Sequence, residues 1–305
     1  MSGYIIVRAL QAVFTLWILS IIVFVSVHLT GDPATYLLGP ETTDETYEQL
    51  RKNLGLDKPL PVQYWHFMED LARGDFGKSI KYGRSARGVL ADRLPATLQL
   101  AGAAFALSLI VGIPLGILSA VKRDSIFDVT GKMFAVLGIA APSFWVAIML
   151  ILVFGAILQW LPTFGRGGIE HFILPTLVLA WGGMAGYVRL ARSSMLEVLD
   201  SDYVKFARVK GLKEQLIIWK HALRNALIPI LTFAGLTLAG LMNGAVAVEV
   251  IFAWPGVGRL MLEGIAARDF PLIQATVLAA GFFYIATALV VDILYAYANP
   301  RIRYN

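Results

Sequence analysis

The sequence predicts an all-α, polytopic membrane protein with six transmembrane helices and a small cap outside the membrane. Two observations carry that class. Of 305 residues, 57% are hydrophobic and 15% charged, where soluble domains hold about 45 to 50% and about 25%. The apolar residues also fall into runs near 9–29, 95–121, 133–159, 172–190, 226–250 and 272–296, each long enough for a hydrocarbon core that needs about 20 residues. Residues 1–29 are therefore read as the N-terminal end and first span, 30–94 as the external cap, and 95–305 as a five-helix core with a basic loop at about 195–225.

The first run follows Arg8 and could resemble a signal peptide. It is longer than the usual apolar core of such a leader and has no clear small-x-small exit before Gly31, which favours a retained anchor. Lysine and arginine then orient the chain. With a cytoplasmic N-terminus, the inner loops and ends hold fourteen basic residues, while the short outer loops hold Arg166, Arg259 and Arg268. Both termini are expected inside. Residues 30–94 carry nine further basic residues, but a loop of that length crosses largely regardless of charge.

Within the cap, Thr43 and Asp44 can begin a helix through Leu50, and Pro61 suits an early helical position ahead of Tyr64, Met68 and Leu71 on one face. The cap ends in GDFGKS at 74–79, which imitates the end of a phosphate-binding P-loop. Ala72 stands where that pattern needs its first glycine, and a helical pattern rather than a strand precedes it. A glycine-rich turn is the expectation, with no nucleotide site in this chain.

Inside the spans, Gly112 and Gly116, Gly182 and Gly186, and Gly240 and Gly244 form strips on which helices can approach closely. Ionisable residues are scarce: Asp292 lies within a run and Glu249 near an outer end. Asp292 could brace the inner end of the last helix against a basic loop or meet a substrate. No relay of buried acids or matched pair of interrupted helices points to ion-driven transport, so energy is expected from outside the chain. Cysteine is absent, and His28, His66, His171 and His221 are dispersed, so no metal site is expected. No nucleophile-and-base motif suggests an intramembrane enzyme, and nothing suggests nucleic acid as a partner.

The basic loop reads as helix, turn, helix. Asp200, Ser201 and Asp202 favour a helix start. Tyr203, Phe206 and Ala207 are expected on one face, with Lys205 and Arg208 pointing away, and Gly211 suits a left-handed C-cap before a second helix from about Lys213. Such a loop can merely set topology, lie on anionic lipid, or dock a soluble partner through a short aromatic-bearing helix. The aromatic residues and the glycine turn favour docking.

Here the sequence resembles a family. DYVKFARVKG at 202–211 followed by HALRNALIP at 221–229 is similar to the cytoplasmic EAA loop of ABC-importer permeases. That pattern is EAA, three residues, glycine, nine residues, then I-x-L-P, of which Ala207, Gly211 and Leu223 match. The departures look like those of the dipeptide, oligopeptide, glutathione and nickel branch. GDPA at 31–34, LGLDKPLPVQYW at 54–65, GDFGKS at 74–79, LPT at 161–163, WPGVGRL at 254–260, RDFP at 268–271 and NPRIRY at 299–304 extend the likeness along the whole chain.

The resemblance implies a type I importer permease in the bacterial inner membrane. It would pair with a second homologous permease, two cytosolic ATPases that hold ATP and magnesium, and an extracytoplasmic solute-binding protein; no cofactor is implied in this chain. Tyr203, Phe206, Ala207, Arg208, Gly211 and Leu212 would contact the ATPase. Gln99, Ser143, Asn243 and Glu249 are candidates to line the passage, or to hydrogen-bond between helices. Small peptides are the leading cargo, with glutathione or nickel as alternatives; an ion-coupled carrier or channel is the rival from another class.

Overall fold

The computed structural model describes residues 2–30, 44–53 and 55–298. The expectations for GDPA at 31–34, for Thr43 and for NPRIRY at 299–304 lie outside the described residues. Helices α1 (Ser2–Thr30), α4 (Ala86–Val121), α7 (Glu170–Leu199), α9 (Leu223–Ile251) and α11 (Phe270–Ala298) form the bundle. The span through α9 begins before it, at Glu214, so among the described residues five helical segments are long and apolar enough to cross a membrane.

The sixth expected span is not one helix. It divides into α5 (Ile126–Ala140) and α6 (Ser143–Leu150, running on in wider π-helical turns through Ile157), inclined at 108° to each other. The cause is local: Pro142 lacks an amide hydrogen and disfavours helical backbone in the residue before it, and Ala141 is extended with φ −78° and ψ 122°.

Packing register shows that this broken segment still crosses. A Cβ on Gly112 would meet Met184 and Tyr187, and one on Gly116 would meet Val188 and Ala191, so α4 and α7 run parallel. Gly131 abuts Val188 and Gly138 abuts Ala185, so α5 runs against α7. Two parallel neighbours joined in sequence require a return crossing, and α5 with α6 supplies it.

α4 differs from expectation at its start. The run was expected from 95, but the helix begins at Ala86 and Pro95 stands inside it. Its 36 residues extend about 54 Å at 1.5 Å per residue, well beyond a hydrocarbon core of about 30 Å. The helix is therefore longer than a straight crossing needs, and its first turns pack against α10 (Val257–Ala266) and α11 through Val89 and Leu90.

The cap contains α2 (Asp44–Asn53) and α3 (Leu60–Arg73), with Pro61 in the first turn of α3. α3 lies against the end of α1. Tyr64 and Phe67 stack around Phe24, the Tyr64 hydroxyl meets Ser20 at 2.9 Å, and His28 meets Gln63 at 3.0 Å. At the other end of α1, Arg8 pairs with Asp292 of α11 at 3.4 Å, so the acid meets a basic residue of a neighbouring helix where a basic loop was expected.

GDFGKS forms the turn that follows α3. Gly74 caps α3 with φ 72°, the Gly77 amide donates to Asp75, and the Ser79 hydroxyl donates to buried Asp269 between α10 (Val257–Ala266) and α11. The segment thus ties cap to bundle.

Candidate functional site

The basic loop folds as a capped hairpin at one end of the bundle. α8 (Asp202–Val209) starts after Ser201, which has extended backbone but sends its hydroxyl back to the Val198 carbonyl rather than capping α8. The far end closes through Gly211 at φ 75°. Gly211 N–H donates to Arg208 O at 2.9 Å and Leu212 N–H to Ala207 O at 3.3 Å, the paired bonds of a Schellman cap. A side chain at 211 would meet no neighbour, so the demand for glycine is the left-handed backbone itself.

The chain re-enters helix at Glu214, widens into π-helical turns over Ile217–Ala222 and continues without a break as α9. Arg208 locks the hairpin: its guanidinium donates to both Glu214 carboxylate oxygens, at 2.7 and 3.2 Å. The Tyr203 hydroxyl donates to His221 O at 3.3 Å and accepts from Asn225 Nδ2 at 2.6 Å. A force on α8 therefore has direct polar routes into α9.

One expected neighbour is corrected. Ala207 does not share an exposed face with Tyr203 and Phe206; it is buried beside Val204 against Met195, Leu199, Ile217 and Ala222. Val204 and Ala207 are three residues apart and share the inward face, whereas Phe206, a further 100° round, points out. The exposed face comprises Tyr203, Phe206 and Val209, with Leu212 just beyond the cap and Lys210 Nζ 4.6 Å from the Phe206 ring centroid. Arg208 likewise serves within the hairpin.

A charged node close to this hairpin escaped sequence reasoning. Asp128, completely buried at the start of α5, accepts from Arg192 Nε at 2.6 Å and Nη2 at 3.1 Å, from Ser119 Oγ at 2.8 Å and from the Asp124 amide at 3.1 Å, and pairs with Lys132 at 2.8 Å. It joins the ends of α4, α5 and α7. Its signal was present as Asp128 and Lys132 at i, i+4 spacing, but such a pair normally reads as a solvated helix turn. Asp128→Ala should destabilise the chain by about 3 kcal/mol or more, because Arg192 is left without its partner. Thermal unfolding in detergent, followed by tryptophan fluorescence, checks this; a melting temperature equal to that of the parent contradicts it.

At the opposite end, the WPGVGRL stretch forms a closed turn around Glu249. Thr97 donates to Glu249 Oε1 at 2.6 Å, and the Arg259 amide donates to Oε2 at 3.0 Å. Thr97 Oγ1 in turn accepts from the Val257 amide at 2.8 Å. A Cβ on Gly256 would stand 2.0 Å from the carboxylate, so the turn can wrap the acid only with glycine there. Trp254, fully buried, donates to the Ala96 carbonyl at 3.0 Å and meets Phe172 edge to face.

Glu249 is fully buried here and hydrogen-bonds between helices, to Thr97 of α4. Gln99 is exposed and accepts from Arg166 at 2.5 Å, and Ser143 is exposed just after the break between α5 and α6. The backbone of Asn243 belongs to α9, and its side chain lies outside the described residues. Nearby, Lys81 and Tyr82 bond Glu263 at 3.3 and 2.6 Å. Burial pushes the Glu263 carboxyl up, but these partners and Arg259 hold it below the usual carboxylate range. Its stabilising effect is present above the ordinary value and fades as pH falls through the lowered one.

The chain is thus a bundle of long apolar helices with a basic hairpin that runs straight into one of them. The family described as "Binding-protein-dependent transport system inner membrane component" matches residues 112–304, and its N-terminal companion matches residues 1–101. The chain belongs to this family and is a multi-pass, inner-membrane permease component of an ABC importer.

Among its relatives is the glutathione transport system permease protein GsiC of Escherichia coli strain K12, 42% identical over all of both chains. The GsiC protein of Pectobacterium atrosepticum is equally similar, at 42% over all of both chains. The fold resembles two inward-facing crystal forms of the MetNI methionine ABC transporter, with TM-scores of 0.53 and 0.56 at 16% identity, over 69% of this chain and 96% of those.

Proposed function

We propose that this chain is one of two homologous permease subunits of an importer that carries glutathione or a peptide of similar size. The observation that carries the cargo is the full-length 42% identity to glutathione permeases, which favours glutathione over the di- and oligopeptides that the sequence alone put first. Both termini and the α8 hairpin face the cytoplasm, as the balance of basic residues favours. There the hairpin docks a cytosolic ATPase that binds ATP and magnesium, and the capped end receives the solute-binding protein.

Transport in this reading needs no covalent chemistry in the chain. Closure of the ATPases moves α8, and Tyr203 and Arg208 pass that motion into α9, shifting the balance between inward and outward states. The test is uptake of radiolabelled glutathione by cells whose only glutathione importer is this permease with its partners. Excess unlabelled glutathione should abolish the signal and excess dipeptide should not; uptake of dipeptide or nickel in place of glutathione contradicts the cargo.

A further inference from the structure

Between α5 and α7, close to the Asp128 node, lies a cavity of about 440 Å³ with two unlike ends. Lys132, Arg189, Arg192 and Ser193 line one end, and Ala135, Val136, Ile139 and Val188 line the other. Three cations face it, and among the described residues Asp128 is the carboxylate that pairs with two of them, Lys132 and Arg192. Asp128 takes up Arg192 and Lys132, whereas the exposed Arg189 side chain has no partner among the described residues.

The position suits a lipid. From Phe172 to Arg192, α7 rises about 30 Å at 1.5 Å per residue, the thickness of a hydrocarbon core, so the basic end lies at the membrane boundary and the apolar end points to the bilayer centre. The apolar wall continues into the exposed Val129, Met133, Val136 and Leu137 of α5. A free anion would use the basic end alone, whereas a phospholipid uses both.

We propose that this slot holds one anionic phospholipid, with its phosphate at Arg189 and Lys132 and an acyl chain along Val136, Ile139 and Val188. Basic pockets between spanning helices are suited to such headgroups. The lipid would fill the gap beside the node that joins α4, α5 and α7, next to the hairpin.

The assembled transporter, purified in detergent with phosphatidylglycerol and phosphatidylethanolamine, tests this by native mass spectrometry. Arg189→Gln should lower retained phosphatidylglycerol about fivefold, as for removal of one basic group near a membrane surface, and Arg189→Lys should restore it. Unchanged retention in Arg189→Gln, or displacement of the lipid by millimolar inorganic phosphate, overturns the proposal. Because the chain has no cysteine, a fluorophore on Val136→Cys gives an independent reading. Brominated phosphatidylglycerol should quench it more than brominated phosphatidylethanolamine; equal quenching, or crosslinking of Val136→Cys to the second permease, overturns the assignment.

Discussion

Phe206→Asp is expected to cut ATP-driven uptake at least tenfold while the variant still inserts and melts like the parent. Phe206 is 59% exposed and is not a member of the buried cluster of the hairpin, so the chain loses little of its own packing. In the proposed complex the same ring is an aromatic anchor in the ATPase groove, where truncation at a hot spot costs about 2 kcal/mol or more, and a carboxylate adds desolvation. Co-purification of the ATPases and uptake by vesicles are the two readouts. Normal assembly and normal uptake in this variant contradict the docking face.

Glu249→Ala should have the opposite signature, a loss of stability. It removes the acceptor for both Thr97 and the Arg259 amide inside a fully buried turn, and unsatisfied buried donors plus the cavity cost about 3 kcal/mol. Trp254, packed in the same turn, offers a local fluorescence reporter. A melting temperature within a degree of the parent contradicts the structural role and reopens Glu249 as a passage residue.

These two sites show what could be read from sequence. A membrane protein follows from composition, because burying that many apolar residues requires a bilayer, and six expected crossings follow from the six apolar runs. Pro142 sits inside an apolar run, and hydropathy alone cannot distinguish a straight span from one bent by 108°. The α4 start at Ala86 was hidden because its first turns carry Arg87, Asp92 and Arg93, which read as loop.

At the hairpin, Gly211 and the two helices were legible from local chemistry, since a left-handed cap leaves a glycine in the sequence. Which face of α8 turns inward was not, because eight residues with apolar groups on both sides fit either choice. Tertiary contact with Ile217 and Ala222 decides it, burying Ala207. The Asp128 node was illegible for a related reason: its main partner, Arg192, is 64 residues away. Glu249 was noticed as an acid near a span end, but its enclosure depends on Gly256 and on Thr97 from another helix.

The central claim is that this chain moves solute only when a separate ATPase drives it through the α8 hairpin. The most direct measurement is uptake into proteoliposomes containing this chain alone, or the chain with its second permease, ATPases and binding protein. Uptake should require the full set and ATP, and should collapse with Phe206→Asp. Uptake driven by an ion gradient in liposomes that hold this chain alone would contradict the account.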